Sequence, residues 1–396
     1  ALQVDLWADT NQDADGIVYI ESESIDTNGG DLTFGKDGET ATVGGATILV
    51  GGDVFFQRGA SAQTLTTNTG DLNIYGETIV ANTNGLIINT SDGDVTLHGL
   101  LNSGNQYSAV GGTFTWEQAQ ANAENVSNSY LATITSRLEN SIAGLAVDYQ
   151  ESWLGGRRKE DTNLWQWVTD PAYNDSNNPL TFFYQGTTEQ TELGPSDFGS
   201  GGTTATGFYA NWNVWTDGVA SGEPNNWESP GEGEFGTFYE SALQFVGAQG
   251  KWNDLRSEQT TRAGGAEVLD YYVRETDLSA SPVTINAGSG AVHIDGGVGT
   301  AKELALLDVT SSATTVIGNG LVTTGVQNYS SSLTVNTDTA NNPDVRLEAG
   351  GTGVTVAGPI TVYGGDIAVD QNLTSTAADA DSLLKGSGNI TLAANK

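Results

Sequence analysis

A short phrase recurs in both ends of this chain and limits the folds that it can adopt. A glycine and an aspartate precede an apolar run that alternates with polar residues, as in GGDLTF, GGDVFF, GDLNIY and GDVTLH. The aspartates of these phrases, Asp31, Asp53, Asp71 and Asp94, are 22, 18 and 23 residues apart. A turn and a short strand repeated about every twenty residues predict a parallel β-solenoid, in which each coil buries its apolar side chains against the next. An antiparallel β-sandwich is the alternative, because alternation and turn residues fit both folds.

The composition divides the 396 residues into three segments. Phrases of the same kind return after residue 277, as GAVHID, GVTVAGPITVYGGDIAVD and GNITLAAN, whereas Trp and Tyr concentrate between the two ends. The stretch LLNSGNQYS from Leu100 also resembles LVTTGVQNYS from Leu321, where the second copy continues in the repeat. We therefore predict that residues 1–105 and 278–396 form two parts of one shaft, with residues 106–277 inserted between its coils as a separate domain.

Charge and composition argue against several classes of function. The chain has 14 Lys and Arg against 49 Asp and Glu, a formal net charge of −35, which repels nucleic acid and favours cations such as calcium. We expect no nucleic-acid partner, and no direct membrane insertion, because no apolar run has membrane-spanning length. Cysteine is absent, which removes disulfides and thiolate metal sites. Because the chain lacks both an initial Met and a leader, we interpret it as a fragment of a larger secreted protein.

The middle segment has the pattern of an α+β domain. Its first predicted helix lies within TFTWEQAQANAENVSNS, with Thr115 as N-cap. The apolar face of that helix is predicted to consist of Trp116, Ala119, Ala123 and Val126. YLATITS is predicted to form a strand and SRLENSIAGLAVDY a second helix, and ESWLGGRR, LWQWVTDP and LDYYVRE are predicted to form further strands.

The order of these motifs resembles a C-type lectin domain from end to end. It comprises WEQA, LATI, WLGG, WQW, EPN, WND and YYVRE. The resemblance implies positions where the family carries cysteines, and here they are Ala123 with Val273, and Ala242 with a partner near Ser257. Since small residues can fill such sites, we expect core packing, together with a metal, to hold the fold.

The stretches GEPNNWESPGEGEF and GKWNDLR supply the oxygen atoms that a calcium ion requires. Calcium takes about six to eight oxygen ligands in a loose geometry, which leaves room for ligand oxygens from outside the protein. The predicted calcium ligands, which also bind the sugar, are Glu223, Asn225, Glu240, Asn253 and Asp254. Glu240 is assigned by the resemblance alone, with Glu234 and Glu232 as alternatives. Trp252 is predicted to be a buried anchor beside the site.

The resemblance also implies which sugars bind. In C-type lectins Glu-Pro-Asn accompanies mannose-type sugars, which present equatorial vicinal hydroxyls to the ion. We therefore expect mannose, glucose, N-acetylglucosamine or fucose, and cell-surface or extracellular glycans as partners. The alternative is a lectin-like module that binds protein or is purely structural.

The two ends resemble the right-handed β-helical shafts of filamentous-haemagglutinin-type bacterial surface proteins, notably in SIDTNGGDLTFG. The predicted fold is thus mainly β: a right-handed parallel β-solenoid shaft with an inserted α+β C-type lectin-like domain. The predicted protein is a fragment of an extracellular adhesin on a bacterial cell surface. A β-helix carbohydrate-active enzyme is less favoured, because the ends contain only Arg58 and Arg346 and no convincing catalytic constellation.

Overall fold

The computed structural model divides the chain into two units, which are described separately. Unit 1 comprises residues 1–106 and 278–396, and unit 2 comprises residues 107–277. The structure describes residues 3–6, 17–35, 40–43, 46–49, 53–57, 60–159, 164–169, 182–185, 203–204, 209–210, 212, 241–246, 250–257, 267–317, 320–335, 344–350, 353–364, 367–370, 372–376, 383–386 and 390–392. The fold is mainly β.

Unit 1 consists of short strands that pair in parallel. The first sheet contains, in spatial order, β1 (Val4–Leu6), β4 (Leu32–Phe34), β9 (Leu72–Ile74), β12 (Val95–Leu97), β24 (Ala291–Ile294), β26 (Ala313–Val316), β29 (Ser332–Val335), β32 (Ile360–Gly364) and β35 (Leu383–Gly386). The second contains β3 (Ser24–Asp26), β8 (Gln63–Thr66), β11 (Leu86–Asn89), β23 (Pro282–Asn286), β25 (Leu306–Thr310), β28 (Gln327–Tyr329), β31 (Val354–Val356) and β34 (Leu373–Ser375).

Two further parallel sheets and one hairpin complete the described part of unit 1. One sheet is β13 (Leu101–Ser103), β10 (Thr78–Val80), β7 (Asp53–Phe56) and β2 (Ile17–Ile20), and the other is β27 (Gly320–Val322), β30 (Val345–Glu348), β33 (Ile367–Val369) and β36 (Ile390–Leu392). The hairpin pairs β5 (Thr40–Val43) with β6 (Ala46–Leu49) in antiparallel fashion. The parallel pairing of the sheets differs from that of an antiparallel β-sandwich.

The alternating apolar residues align from strand to strand and form the core. Leu32 pairs with Leu72, Leu72 with Val95, and Val95 with Val292, and all four side chains are fully buried. Inward side chains of the four parallel sheets belong to one apolar cluster. Because burial of such a side chain contributes about 1.5–3 kcal/mol, stacking of the strands is the main stabilising term.

The glycine of the recurring phrase is required by close stacking of the turns. A Cβ on Gly70 would lie 2.3 Å from the carbonyl oxygen of Gly30, and one on Gly93 would lie 2.1 Å from that of Gly70. The aspartate that follows each glycine caps the next strand. Asp31 Oδ1 accepts the N–H of Asp71 at 3.0 Å, and Asp71 Oδ1 accepts that of Asp94 at 2.9 Å.

Asp53 is an exception to the predicted repeat. It begins β7, in a different sheet from the strands that follow Asp31, Asp71 and Asp94. Its Oδ1 accepts the N–H of Glu77 at 2.6 Å. A repeat of about twenty residues is therefore no guide to which strands stack, because similar turn phrases occur on two different sheets.

The two sequence parts of unit 1 pair directly with one another. Leu86 of β11 pairs with Val283 of β23, and Val95 of β12 pairs with Val292 of β24. The Asn286 carboxamide also donates to Asn89 Oδ1 at 2.8 Å, across 197 residues of sequence. The ladders of unit 1 therefore continue across the sequence interruption.

Unit 2 combines helices with a mixed sheet. Its described elements are β14 (Gln106–Phe114), α1 (Trp116–Glu124), β15 (Ser129–Leu131), α2 (Arg137–Ala146), β16 (Ser152–Arg158), β17 (Leu164–Trp167), β18 (Phe182–Gln185), β19 (Thr203–Thr204), β20 (Ala242–Val246), β21 (Lys251–Leu255) and β22 (Leu269–Thr276). The sheet order is β14-β22-β16-β17-β18-β19, with β15 beside β22 and β20 between β16 and β21. Neither described helix is long and apolar enough to span a bilayer.

Helix α1 begins as its sequence predicts. The Thr115 hydroxyl accepts the N–H of Gln118, and the Gln118 side chain accepts the N–H of Thr115, which forms a capping box. The helix ends at Glu124, however, so Val126 lies beyond it and is 40% exposed. The prediction that Val126 belongs to the apolar face was wrong.

The second helix occurs as predicted, whereas the strand that precedes it is shorter than predicted. The predicted second helix is α2, capped by Ser136, whereas the predicted strand YLATITS is only partly strand, because β15 ends at Leu131. The four residues after Leu131 lie outside any strand, and there Glu275 accepts the N–H of Thr133 at 2.9 Å.

Small residues occupy the positions where the lectin family would carry cysteines. Ala123, Ala242 and Val273 are fully buried, and the Ser257 hydroxyl lies 2.7 Å from that of Ser241. Arg157 also donates to Ser257 at 3.1 Å. Packing and hydrogen bonds thus fill these sites.

Candidate functional site

The structure describes two of the five predicted ligands, Asn253 and Asp254, both on β21. Glu223, Asn225 and Glu240, and the alternatives Glu232 and Glu234, lie outside the described residues. Within the described residues, no three His, Asp or Glu side chains are grouped so as to hold a metal ion. The local structure of the site is therefore that of β21 and its neighbours.

Trp252 anchors β21 in the core of unit 2. Its side chain is fully buried, and its indole N–H donates to Asn140 Oδ1 of α2 at 2.8 Å. The Asn140 carboxamide in turn donates to the carbonyl oxygen of Gly250 at 3.2 Å. One buried asparagine therefore fixes both the anchor and the residue that precedes β21, which also fixes the backbone position of Asn253 and Asp254.

Aromatic rings surround the anchor. The Trp252 ring makes edge contacts with Trp167, Phe183, Tyr209 and Trp212, at centroid distances of 5.7, 5.7, 5.6 and 6.0 Å. Such edge-to-face pairs contribute about 0.5–1.5 kcal/mol each beyond their burial. Strand β21, which carries Asn253 and Asp254, is therefore packed through Trp252 against a cluster of aromatic rings.

The two described ligands lie on opposite faces of β21. Successive side chains of a strand alternate between faces. Asp254 is fully buried and shares its face with Trp252, whereas Asn253 is half-buried on the other face. Both side chains can reach one ion only where the ion lies at the edge or end of the strand.

Gln244 lies opposite Asn253 in the antiparallel pair of β20 and β21. It is 3% exposed, and its Oε1 atom has no hydrogen-bond partner among the described residues. Directly opposite residues have Cβ atoms about 4.5–5.5 Å apart, so Gln244 and Asn253 are within reach of each other. Gln244 and Asn253 therefore lie side by side on one face of the β20–β21 pair.

The nearby phenol of Tyr209 remains neutral at physiological pH. Burial raises the pKa of Tyr209 to about 12, against an opposing effect of Arg137. A neutral phenol does not add to the negative charge near β21.

A second buried carboxylate of unit 2, that of Glu275, accepts hydrogen bonds from three protein donors. Its oxygens accept from the Thr133 N–H at 2.9 Å and from the hydroxyls of Tyr107 and Tyr130 at 3.3 and 3.4 Å. Burial, followed by the charges of Glu139 and Glu275, raises the pKa of Tyr107, which keeps its hydroxyl a donor. We therefore assign Glu275 a structural role.

No family model matches this chain. Halomucin from Haloquadratum walsbyi (strain DSM 16790 / HBSQ001) is 26% identical over 205 residues, which cover 49% of this chain and 2% of halomucin. The chain thus spans a very small part of the length of this relative.

The solved structures similar to this chain include C-type lectin carbohydrate-recognition domains. One is that of cow CD23 in the presence of GlcNAc2Man3 oligosaccharide, with 19% identity, 44% of this chain and 90% of that chain covered, and a TM-score of 0.25. Another is that of the mouse scavenger receptor C-type lectin, with 20% identity, 44% and 92% covered, and a TM-score of 0.25.

Asn140 and Gln244 were missed by sequence reasoning. Asn140 is a buried polar residue within the apolar face of α2, beside Ile142 and Ala143, and that interruption was the available signal. Gln244 interrupts the apolar run of β20 in the same way. Their partners lie far away in sequence, so the sequence did not reveal their roles.

Proposed function

We propose that unit 2 binds carbohydrate through a calcium ion. The proposed ligands of the ion, which also contact the sugar, are Glu223, Asn225, Glu240, Asn253 and Asp254. Carboxylate and carboxamide oxygens are the ligands that calcium prefers, and the loose coordination accepts two sugar hydroxyls as well.

One observation carries this proposal. Trp252 is buried and hydrogen-bonded to Asn140, so the two residues after it, Asn253 and Asp254, have a fixed backbone position on β21. Asn253 and Asp254 thus offer a carboxamide and a carboxylate from one fixed strand, and their oxygens are of the types that calcium prefers.

The proposed sugar preference rests on Glu223 and Asn225. Carboxylate oxygens accept hydrogen bonds from sugar hydroxyls, and the carboxamide nitrogen of Asn225 donates to them. By its resemblance to mannose-type lectins, the Glu-Pro-Asn motif favours equatorial vicinal hydroxyls. We propose mannose, glucose, N-acetylglucosamine or fucose as ligands, presented on cell-surface or extracellular glycans.

We propose that unit 1 is a right-handed β-solenoid shaft that carries the lectin domain as part of an extracellular adhesin. The parallel ladders, the common apolar cluster and the stacked glycines support this architecture. The partial similarity to a protein named halomucin supports the proposed extracellular location.

A glycan array tests the sugar-binding proposal. The full chain is applied with calcium and again with a chelator, and we expect binding to mannose-type glycans only with calcium. Asp254→Ala should abolish it, whereas the matched control Asp270→Ala, which removes an exposed carboxylate of β22, should retain it. Binding that is insensitive to the chelator would contradict the proposal.

The placement of Asn253 and Asp254 on opposite faces favours a second candidate, a lectin-like module that binds protein or is structural and holds no metal. Calorimetric titration with calcium separates the two, because this second candidate predicts no heat of binding. We assign no catalytic activity to either unit. Steady release of new reducing or unsaturated ends from polysaccharides would contradict that assignment.

A further inference from the structure

Asn-x-Ser/Thr, with x other than Pro, is the acceptor pattern for N-linked glycans in exported proteins. Among the described residues the pattern occurs at Asn89, Asn125, Asn328 and Asn372. The pattern alone does not separate these positions, because a linked glycan must also fit on the folded surface. The surroundings of each carboxamide therefore decide which position can carry a sugar.

Asn125 belongs to unit 2 and is exposed. It is the C-cap of α1, and residues 125–128 form an exposed turn. Its neighbour in the pattern, Val126, is 40% exposed, and Ser127 is exposed as well. Within the described part of the chain, no group forms a hydrogen bond with the Asn125 carboxamide, whose Nδ2 is thus open to solvent.

Asn372, just before β34 in unit 1, is exposed as well, whereas the two positions within strands are more restricted. Asn89 lies in β11 between β8 and β23, and its Oδ1 accepts from Asn286 at 2.8 Å. Asn328 lies in β28, half-buried between Asp308 and Thr355 on the flanking strands. Since neighbouring strands are only about 4.8 Å apart, a sugar at either position would press against the side chains on both sides.

We propose that Asn125 is an acceptor of an N-linked glycan. In the transfer, Nδ2 forms a bond to the anomeric carbon of a lipid-linked oligosaccharide. The bond from that carbon to the lipid phosphate breaks, the lipid phosphate leaves, and the carboxamide gives up one proton. The inference rests on the extracellular location in the proposed function, because only an exported chain meets this donor.

Mass spectrometry of the full chain tests the proposal. The chain, with an export signal added, is produced in cells whose N-glycosylation machinery modifies a co-expressed acceptor protein. We expect the peptide that contains Asn125 to carry the mass of an oligosaccharide. Asn125→Gln and Ser127→Ala should each remove that mass, whereas the matched control Asn89→Gln should leave it unchanged.

An unmodified Asn125 peptide beside a modified co-expressed protein would overturn the proposal. So would a Ser127→Ala variant that keeps the glycan on Asn125. Because the export signal fixes the location, failure here does not depend on where the natural protein resides. Calcium-dependent sugar binding is measured separately on Asn125→Gln, so a failure of the proposed function is distinguishable from a failure at Asn125.

Discussion

Replacing Asn140 by Ala tests whether one buried side chain fixes the proposed ligand strand. The change leaves the indole N–H of Trp252 without its acceptor in a fully buried position, at about 1–3 kcal/mol, and removes the donor to Gly250, at about 0.5–1.5 kcal/mol. The expected loss is about 1.5–4.5 kcal/mol. In a unit of this size each kcal/mol lowers Tm by roughly 2–4 °C, which predicts a fall of roughly 3–18 °C.

Tryptophan fluorescence during thermal unfolding measures this loss in unit 2. Of the nine tryptophans only Trp7 belongs to unit 1, so the signal reports the other unit. Gln120→Ala is the control, because the Gln120 carboxamide donates to the exposed Glu124 of the same helix, and its loss should change stability by less than about 0.5 kcal/mol. If Asn140→Ala unfolds at the same temperature as the control, the two hydrogen bonds of Asn140 do not hold β21 in place.

Four further predictions follow from the two units. Calcium at about a hundred times its Kd should add about 2.7 kcal/mol to unit 2 in calorimetric scans, and Asp254→Ala should remove this gain. Changing Glu223 to Gln and Asn225 to Asp together should shift binding from mannose-type to galactose-type sugars with calcium still bound; unchanged mannose affinity in calorimetry would refute the assignment. Burial raises the pKa of Asp53, so the ionised carboxylate lowers the stability of the folded chain at neutral pH. This loss disappears as the pH falls through the pKa of the folded state toward the ordinary Asp value of about 4. Asp53→Asn should therefore stabilise the chain in urea at pH 7 and do so less at pH 4. Gly93→Ala would place a Cβ 2.1 Å from a backbone oxygen of the neighbouring turn. It should lower the unfolding temperature of unit 1, measured by circular dichroism, and leave the unfolding of unit 2, measured by tryptophan fluorescence, unchanged.

Local features could be predicted from the sequence because their causes lie within a few residues. The Thr115 hydroxyl caps α1 by accepting the N–H of Gln118, three residues away. The glycines of the recurring phrase mark turns, and the alternation after them marks strands with one buried face. The sequence pattern likewise placed Trp252 as a buried anchor beside Asn253 and Asp254, and its burial is confirmed.

Other features depended on partners that are distant in sequence. Asp53 lies in the same local phrase as Asp71, yet it begins a strand of another sheet. The stacking of the turns, and not their local sequence, decides which residues align. Val126 continues the helical spacing but follows the C-cap, and its side chain is 40% exposed.

What the sequence by itself determined is the set of local preferences: where turns, caps and buried faces occur, and which oxygen-bearing residues are available for a calcium ion. Only the tertiary structure decided which of these meet. The bond from Trp252 to Asn140 spans 112 residues, and the pair of Asn89 and Asn286 spans 197. Such contacts form because two complementary buried surfaces close on each other, and neither surface alone carries the information about its partner.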